Sequence, residues 1–198
     1  MKWLNFEEEI LKKNLKIFSP RDLVYLFDIS KRSASGFLSY HTNKTKGILK
    51  IKKNLYCLKK NIPSDFFIAN KIYEPSYISL ETALSYYSLL PEVVYSITSV
   101  TTKKTNLIIF NQKQFSFQKI KKQAFTGYQL TKIGDEKVLI AEPEKAVVDY
   151  LYFVFLKIKK VNERVDLSGL NKKRLFYFVK LFENNLFLKF LKEDFNLC

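Results

Sequence analysis

Apolar positions in the first third of the chain recur at the spacing of helices. Leu4, Ile10, Leu11 and Leu15 are separated by charged residues, which predicts an amphipathic helix over Trp3 to Leu15. A second helix is marked at its start. Ser19 is placed to accept from the amide of Asp22, Pro20 takes the first helical position, and Phe18 can staple against Leu23, so the helix should run from about Pro20 to Phe27. Asp28-Ile29 makes a tight connection, and Ser30 caps a third helix reaching about Asn43. Ala34, Phe37, Leu38 and His41 fall at i, i+3, i+4 and i+7 and mark its inward side. Arg32, Ser35, Ser39 and Asn43 line the opposite side, with Lys31 and Thr42 at its margin.

Beyond Thr42 to Lys46 the period shortens. Gly47 to Lys52 alternates apolar and basic residues, Lys53-Asn54 offers a turn with an Asn tolerant of positive φ, and Leu55 to Leu58 returns as a second strand. Three helices and a basic hairpin predict a winged helix-turn-helix over residues 1–60. Lys59 to Ser64 combines charge, Asn and Pro and reads as a linker. A second domain is expected over 65–198. It has helices at Asp65 to Ile72, Ser79 to Leu89, Glu144 to Leu156 and two near the C-terminus, the first with Leu175, Phe176, Val179 and Phe182 on one face, the second with Leu186, Phe187, Phe190 and Leu191. Segments rich in Val, Ile, Tyr, Phe and Thr predict strands at Val93 to Val100, Asn106 to Phe110, Gln114 to Gln118, Tyr128 to Ile133 and Lys137 to Ile140. The fold class is α+β, with a C-terminal mixed β-sheet flanked by helices.

Charge then adds a candidate partner. From Ile29 to Ser64 the chain carries nine basic residues (Lys31, Arg32, Lys44, Lys46, Lys50, Lys52, Lys53, Lys59, Lys60) and no Asp or Glu. The formal charge is +15, and residues 1–60 hold 14 basic against 5 acidic side chains, so the excess is concentrated at the N-terminus. A solvated lysine face and a nucleic acid backbone explain such a window equally well on composition alone. The helix pattern favours double-stranded DNA. Small Ser35 and Ser39 permit close approach to a major groove, Lys31 and Arg32 can reach guanine O6/N7, and Asn43 can pair with adenine. Lys50, Lys52 and Lys53 are expected on the neighbouring phosphates, which orient a protein without reading sequence.

Other chemistries find little purchase. Cys57 and Cys198 form no close pair, so neither a disulfide framework nor a thiolate metal site is implied, and a reducing, cytoplasmic setting is expected. The apolar run Ala146 to Leu156 is broken by Asp149 and is shorter than the ~20 residues of a membrane span. His41 is the only histidine, which leaves no His-dependent triad or His-rich metal site, and no Gly-rich phosphate loop occurs. Asp135-Glu136-Lys137 and Glu142-Pro143-Glu144-Lys145 superficially suggest a metal-dependent nuclease. Their simpler roles are a turn residue at Asp135 and helix-start anions at Glu142 and Glu144. No catalytic residue, metal ligand or cofactor is assigned.

Four motifs of the second domain, in order, carry a resemblance. They are Tyr77 to Leu84 (YISLETAL), Leu89 to Glu92 (LLPE), Ser96 to Lys104 (SITSVTTKK) and Val138 to Asp149 (VLIAEPEKAVVD). Together the chain resembles AbiEi family antitoxins of type IV, abortive-infection toxin-antitoxin modules, over nearly its whole length. The resemblance implies a winged helix that represses its own operon at operator inverted repeats, two copies touching on bent DNA, and a C-terminal domain that counteracts a nucleotidyltransferase-like toxin. Lys103 and Lys104 are then expected to extend the DNA footprint. The alternatives are the metal-dependent nuclease and a DNA-binding transcription factor without a toxin partner.

Overall fold

The computed structural model describes residues 1–92 and 94–195. Val93, at the start of one predicted strand, and the terminal Cys198 lie outside the described residues. Two compact units divide the chain, Met1–Ile72 and Tyr73–Cys198.

The first unit opens with α1 (Trp3–Lys12), α2 (Pro20–Phe27) and α3 (Lys31–Asn43). The start of α2 is a reciprocal cap: Asp22 N–H donates to Ser19 Oγ (3.4 Å) and Ser19 N–H to Asp22 Oδ2 (2.6 Å), while Pro20 has no amide to leave unsatisfied. The helix stops at Asp28, which adopts the left-handed region with φ 48°. Ser30 Oγ then accepts from Ser33 N–H at 3.1 Å and starts α3. Ala34 and Leu38 are fully buried and share a core with Phe6, Ile10, Phe18, Leu23, Ile48 and Leu58.

An antiparallel hairpin follows, β1 (Ile48–Lys52) and β2 (Leu55–Leu58), turning through Asn54 at φ 63°. Phe18 and Tyr56 exchange both backbone hydrogen bonds, each 2.9 Å, so the residue preceding the α2 cap anchors the hairpin to the helices. The helix α4 (Asp65–Ile72), expected in the second domain, groups with this first unit. Two local features accompany that grouping: Lys59–Asn61, within the expected linker, winds into a 3₁₀ turn, and Lys52 Nζ donates to the carbonyl of Ile72 at the end of α4.

The second unit is built on six strands, β3 (Ser76–Ile78), β4 (Ile97–Thr101), β5 (Asn106–Phe110), β6 (Lys113–Lys119), β7 (Tyr128–Ile133) and β8 (Glu136–Ala141), in the order β5-β6-β4-β3-β8-β7. Pairs β4/β6 and β3/β8 are parallel and the other three antiparallel, so the sheet is mixed and the class is α+β. The helices of this unit are α5 (Leu80–Tyr86), α6 (Pro143–Phe155), α7 (Lys172–Lys180) and α8 (Asn185–Phe195). Three-residue β3 is too short for a period-2 signal, yet it sits centrally, with Tyr77 and Ile78 fully buried. Behind it, Lys145 and Asp149, one turn apart on α6 and both fully buried, form an ion pair. Asp149 Oδ2 also accepts from Ser79 Oγ (2.8 Å) and Tyr77 OH (3.0 Å), which ties α6 to β3 and to the start of α5. Burial pushes the Asp149 carboxyl up and the Lys145 ammonium down, and the ion pair opposes both shifts. No helix among the described residues is long and apolar enough to cross a membrane.

Candidate nucleic-acid interface

The capped start of α3 and its buried Ala34 and Leu38 fix which side of the helix faces outward. Lys31, Arg32, Ser35, Ser39 and Asn43 are all exposed there, as the helical spacing predicts. Asn43 Nδ2 donates to Ser39 Oγ at 3.4 Å, which aligns its amide along the face. Gly36 lies beside them, and a Cβ added to it would meet nothing within 4 Å.

The hairpin supplies two exposed cations, Lys50 and Lys53. Lys52 behaves differently. The register shifts between Lys50 and Lys52, which resets the alternation of the strand, and Lys52 turns half-buried onto the Ile72 carbonyl. It is therefore engaged within the unit and is not presented with Lys50 and Lys53. Lys60 is paired with Glu7 at 2.9 Å. Lys31, Arg32, Lys44, Lys46, Lys50 and Lys53 have no ion pair among the described residues.

A shallow hollow of about 320 Å³ joins these parts, lined by Ser19, Pro20, Arg21, Lys31, Ser35 and Asn54. The start of α2, the outward side of α3 and the hairpin turn thus converge. Arg21, exposed in the first turn of α2, is a member that sequence reasoning missed. Its signal is its place just after a capped Ser-Pro, where free helix amides and a guanidinium favour an anion together. His41 faces inward, with its ring 4.5 Å from Trp3 and 4.2 Å from Phe37, and its Nδ1 is 2.9 Å from Thr45 Oγ1. Burial lowers its pKa below the ordinary 6.5.

In the second unit, Lys103 and Lys104 are exposed in the turn between β4 and β5. The Lys104 carbonyl accepts from Tyr73 OH at 2.9 Å, and Lys103 Nζ lies 5.7 Å above the Tyr73 ring. The structure adds exposed Lys119 and Lys122 at the same end of the sheet. Lys119 lies opposite Thr101 in the parallel ladder, and its N–H donates to Thr105 Oγ1 at 3.2 Å. Lys121 is held by the Phe182 carbonyl at 2.6 Å. A signal for this patch stands in the sequence: from Tyr95 to Gly134 there are seven lysines and no Asp or Glu.

Three residues of the Glu142-to-Lys145 segment that suggested a nuclease have other partners. Glu142 is held by Arg174 through two hydrogen bonds of 2.8 and 2.6 Å, Glu144 accepts from Asn171 N–H at 3.0 Å, and Lys145 belongs to the buried pair with Asp149. Among the described residues no group of three or more His, Cys, Asp or Glu could hold a metal ion. Comparison with known protein families finds no match for this chain, and comparison with curated proteins finds none either.

Proposed function

We propose that residues 1–72 form a winged helix-turn-helix that binds double-stranded operator DNA, and that the whole chain is an autorepressor and antitoxin of the AbiEi kind. The observation that carries the DNA reading is the surface on which the exposed polar side of α3, the start of α2 and the hairpin turn meet around one hollow, lined by Arg21 and Lys31, which have no ion pair among the described residues. In this reading α3 enters the major groove with Lys31, Arg32, Ser35, Ser39 and Asn43, and Arg21, Lys50 and Lys53 take phosphates beside it. Lys103 and Lys104, with Lys119 and Lys122, extend the contact to further phosphates. The antitoxin role rests on the four motifs in the second unit, and the partner it implies is a nucleotidyltransferase-like toxin.

The test is binding to the chain's own promoter region by fluorescence anisotropy across a salt series. Log affinity should fall with log salt by ~0.9 for each phosphate contacted, and Lys50→Ala or Lys53→Ala should each reduce that slope by ~1. A flat salt response would refute the docking. Promoter binding without rescue of cells that express a neighbouring toxin gene would leave a plain transcription factor.

A further inference from the structure

The sheet of the second unit has two edges, β5 and β7, and they are protected unequally. Edge strands present unpaired N–H and C=O groups, and soluble proteins usually place charge or proline on them to prevent pairing with another chain. β7 (YQLTKI) carries the exposed Lys132. β5 (NLIIF) carries no charge, and its Leu107 and Ile109 stand 56% and 65% exposed on one face.

The hairpin shows which backbone groups of β5 are open. Asn111 and Gln112, both at positive φ (49° and 64°), form a two-residue turn closed by the pair Phe110 and Lys113. That closing pair exchanges hydrogen bonds across the turn, so by alternation Ile108 pairs with Phe115, and Leu107 and Ile109 turn their backbone groups to the open edge. The Leu107 N–H accordingly bonds only sideways, to Asn106 Oδ1 at 3.0 Å.

We infer that β5 is a pairing edge for a second copy of this chain. Antiparallel pairing about Ile108 sets Leu107 opposite Ile109 of the other copy and the reverse, so two-fold symmetry satisfies the open groups of both strands and gathers four apolar side chains on one face. Antiparallel pairing also brings the start of β5 of one copy, just after Lys103 and Lys104, toward the turn end of the other, just before Lys113, and this like charge opposes pairing at low salt. The area involved is on the order of a few hundred Å², well below the ~1,200 Å² of stable interfaces, so the pair is weak in free solution. It forms when two copies are held side by side at an effective concentration of ~1 mM, as on adjacent DNA sites. That last setting rests on the repressor reading, whereas the pairing itself does not.

Sedimentation and small-angle scattering of the full chain test it. Wild type should shift from monomer toward dimer as concentration approaches ~1 mM. The shift should be larger at ~0.5 M salt than at ~0.05 M, since screening weakens the lysine contact. Ile109→Lys should remain monomeric with unchanged circular dichroism, and Leu130→Lys on β7 should behave as wild type. Should Ile109→Lys lower the melting temperature, the milder Leu107→Thr/Ile109→Thr variant should still weaken the dimer. On DNA carrying two promoter sites, Ile109→Lys should lose at least ~10-fold in cooperativity while keeping its single-site affinity. Wild type monomeric throughout, or Ile109→Lys dimerising normally, would overturn the inference, as would Leu130→Lys acting like Ile109→Lys. Normal dimerisation with no promoter binding would instead defeat the repressor reading and leave the pairing intact.

Discussion

His41 and Trp3 are the only histidine and the only tryptophan of the chain, and their rings are 4.5 Å apart. A protonated imidazole quenches an adjacent indole, so Trp3 fluorescence should drop as acid titrates His41, with a midpoint below pH 6.5 because burial favours the neutral ring. The sign for stability follows: the contribution is full above the unfolded pKa of ~6.5 and is lost as pH falls through the lower folded value. A midpoint above 6.5 in the fluorescence titration would contradict this packing. Lys145 and Asp149 are a costlier case. Lys145→Met leaves a buried carboxyl with only Tyr77 and Ser79 as donors and should cost about 3–5 kcal/mol in urea unfolding. At this scale the sequence was partly legible. The inward His41 and the outward side of α3 follow from helical spacing, whereas Lys52 defeats the strand pattern because an irregularity beside it changes which way it points.

Elements were legible where a local signal defined them. The cap at Ser19 and Asp22, the cap at Ser30 and the Asn54 turn are chemistry within a few residues, and all three appear as expected. The strand β3 was missed because its place in the sheet comes from partners at Val100 and Ile140, distant in sequence, and not from its own three residues. For α3 the open space around Gly36 gives a direct test. Gly36→Ala should stabilise the free protein by up to ~1 kcal/mol, seen as a higher melting temperature, since alanine restricts the unfolded chain and meets no atom in the folded one. If α3 reads bases, Arg32→Ala or Ser35→Ala should weaken promoter binding more than binding to random DNA. Equal losses on both would assign α3 to the phosphates alone.

For the whole molecule, the position of the division determines how its roles can be separated. The linker composition at Lys59 to Ser64 suggested a cut there, but α4 groups with the first unit and its terminal carbonyl holds Lys52. The pattern of residues could not show this, because the bond joins a strand to a helix end twenty positions away. A fragment ending at residue 60 loses that acceptor together with the buried residues of α4, and should be less stable to urea than one ending at Ile72 by at least the worth of one hydrogen bond, about 1 kcal/mol. All four motifs behind the antitoxin reading lie beyond Tyr73, as do the six-stranded sheet and the buried Lys145–Asp149 pair. Residues 73–198 should therefore restore growth, at least in part, to cells expressing the cognate toxin without binding the promoter specifically, whereas residues 1–72 should bind it weakly and fail to rescue. Growth assays beside anisotropy on the two fragments measure both roles. Rescue by residues 1–72 alone would mean that protection comes only from silencing the operon, and the second unit would then need another role.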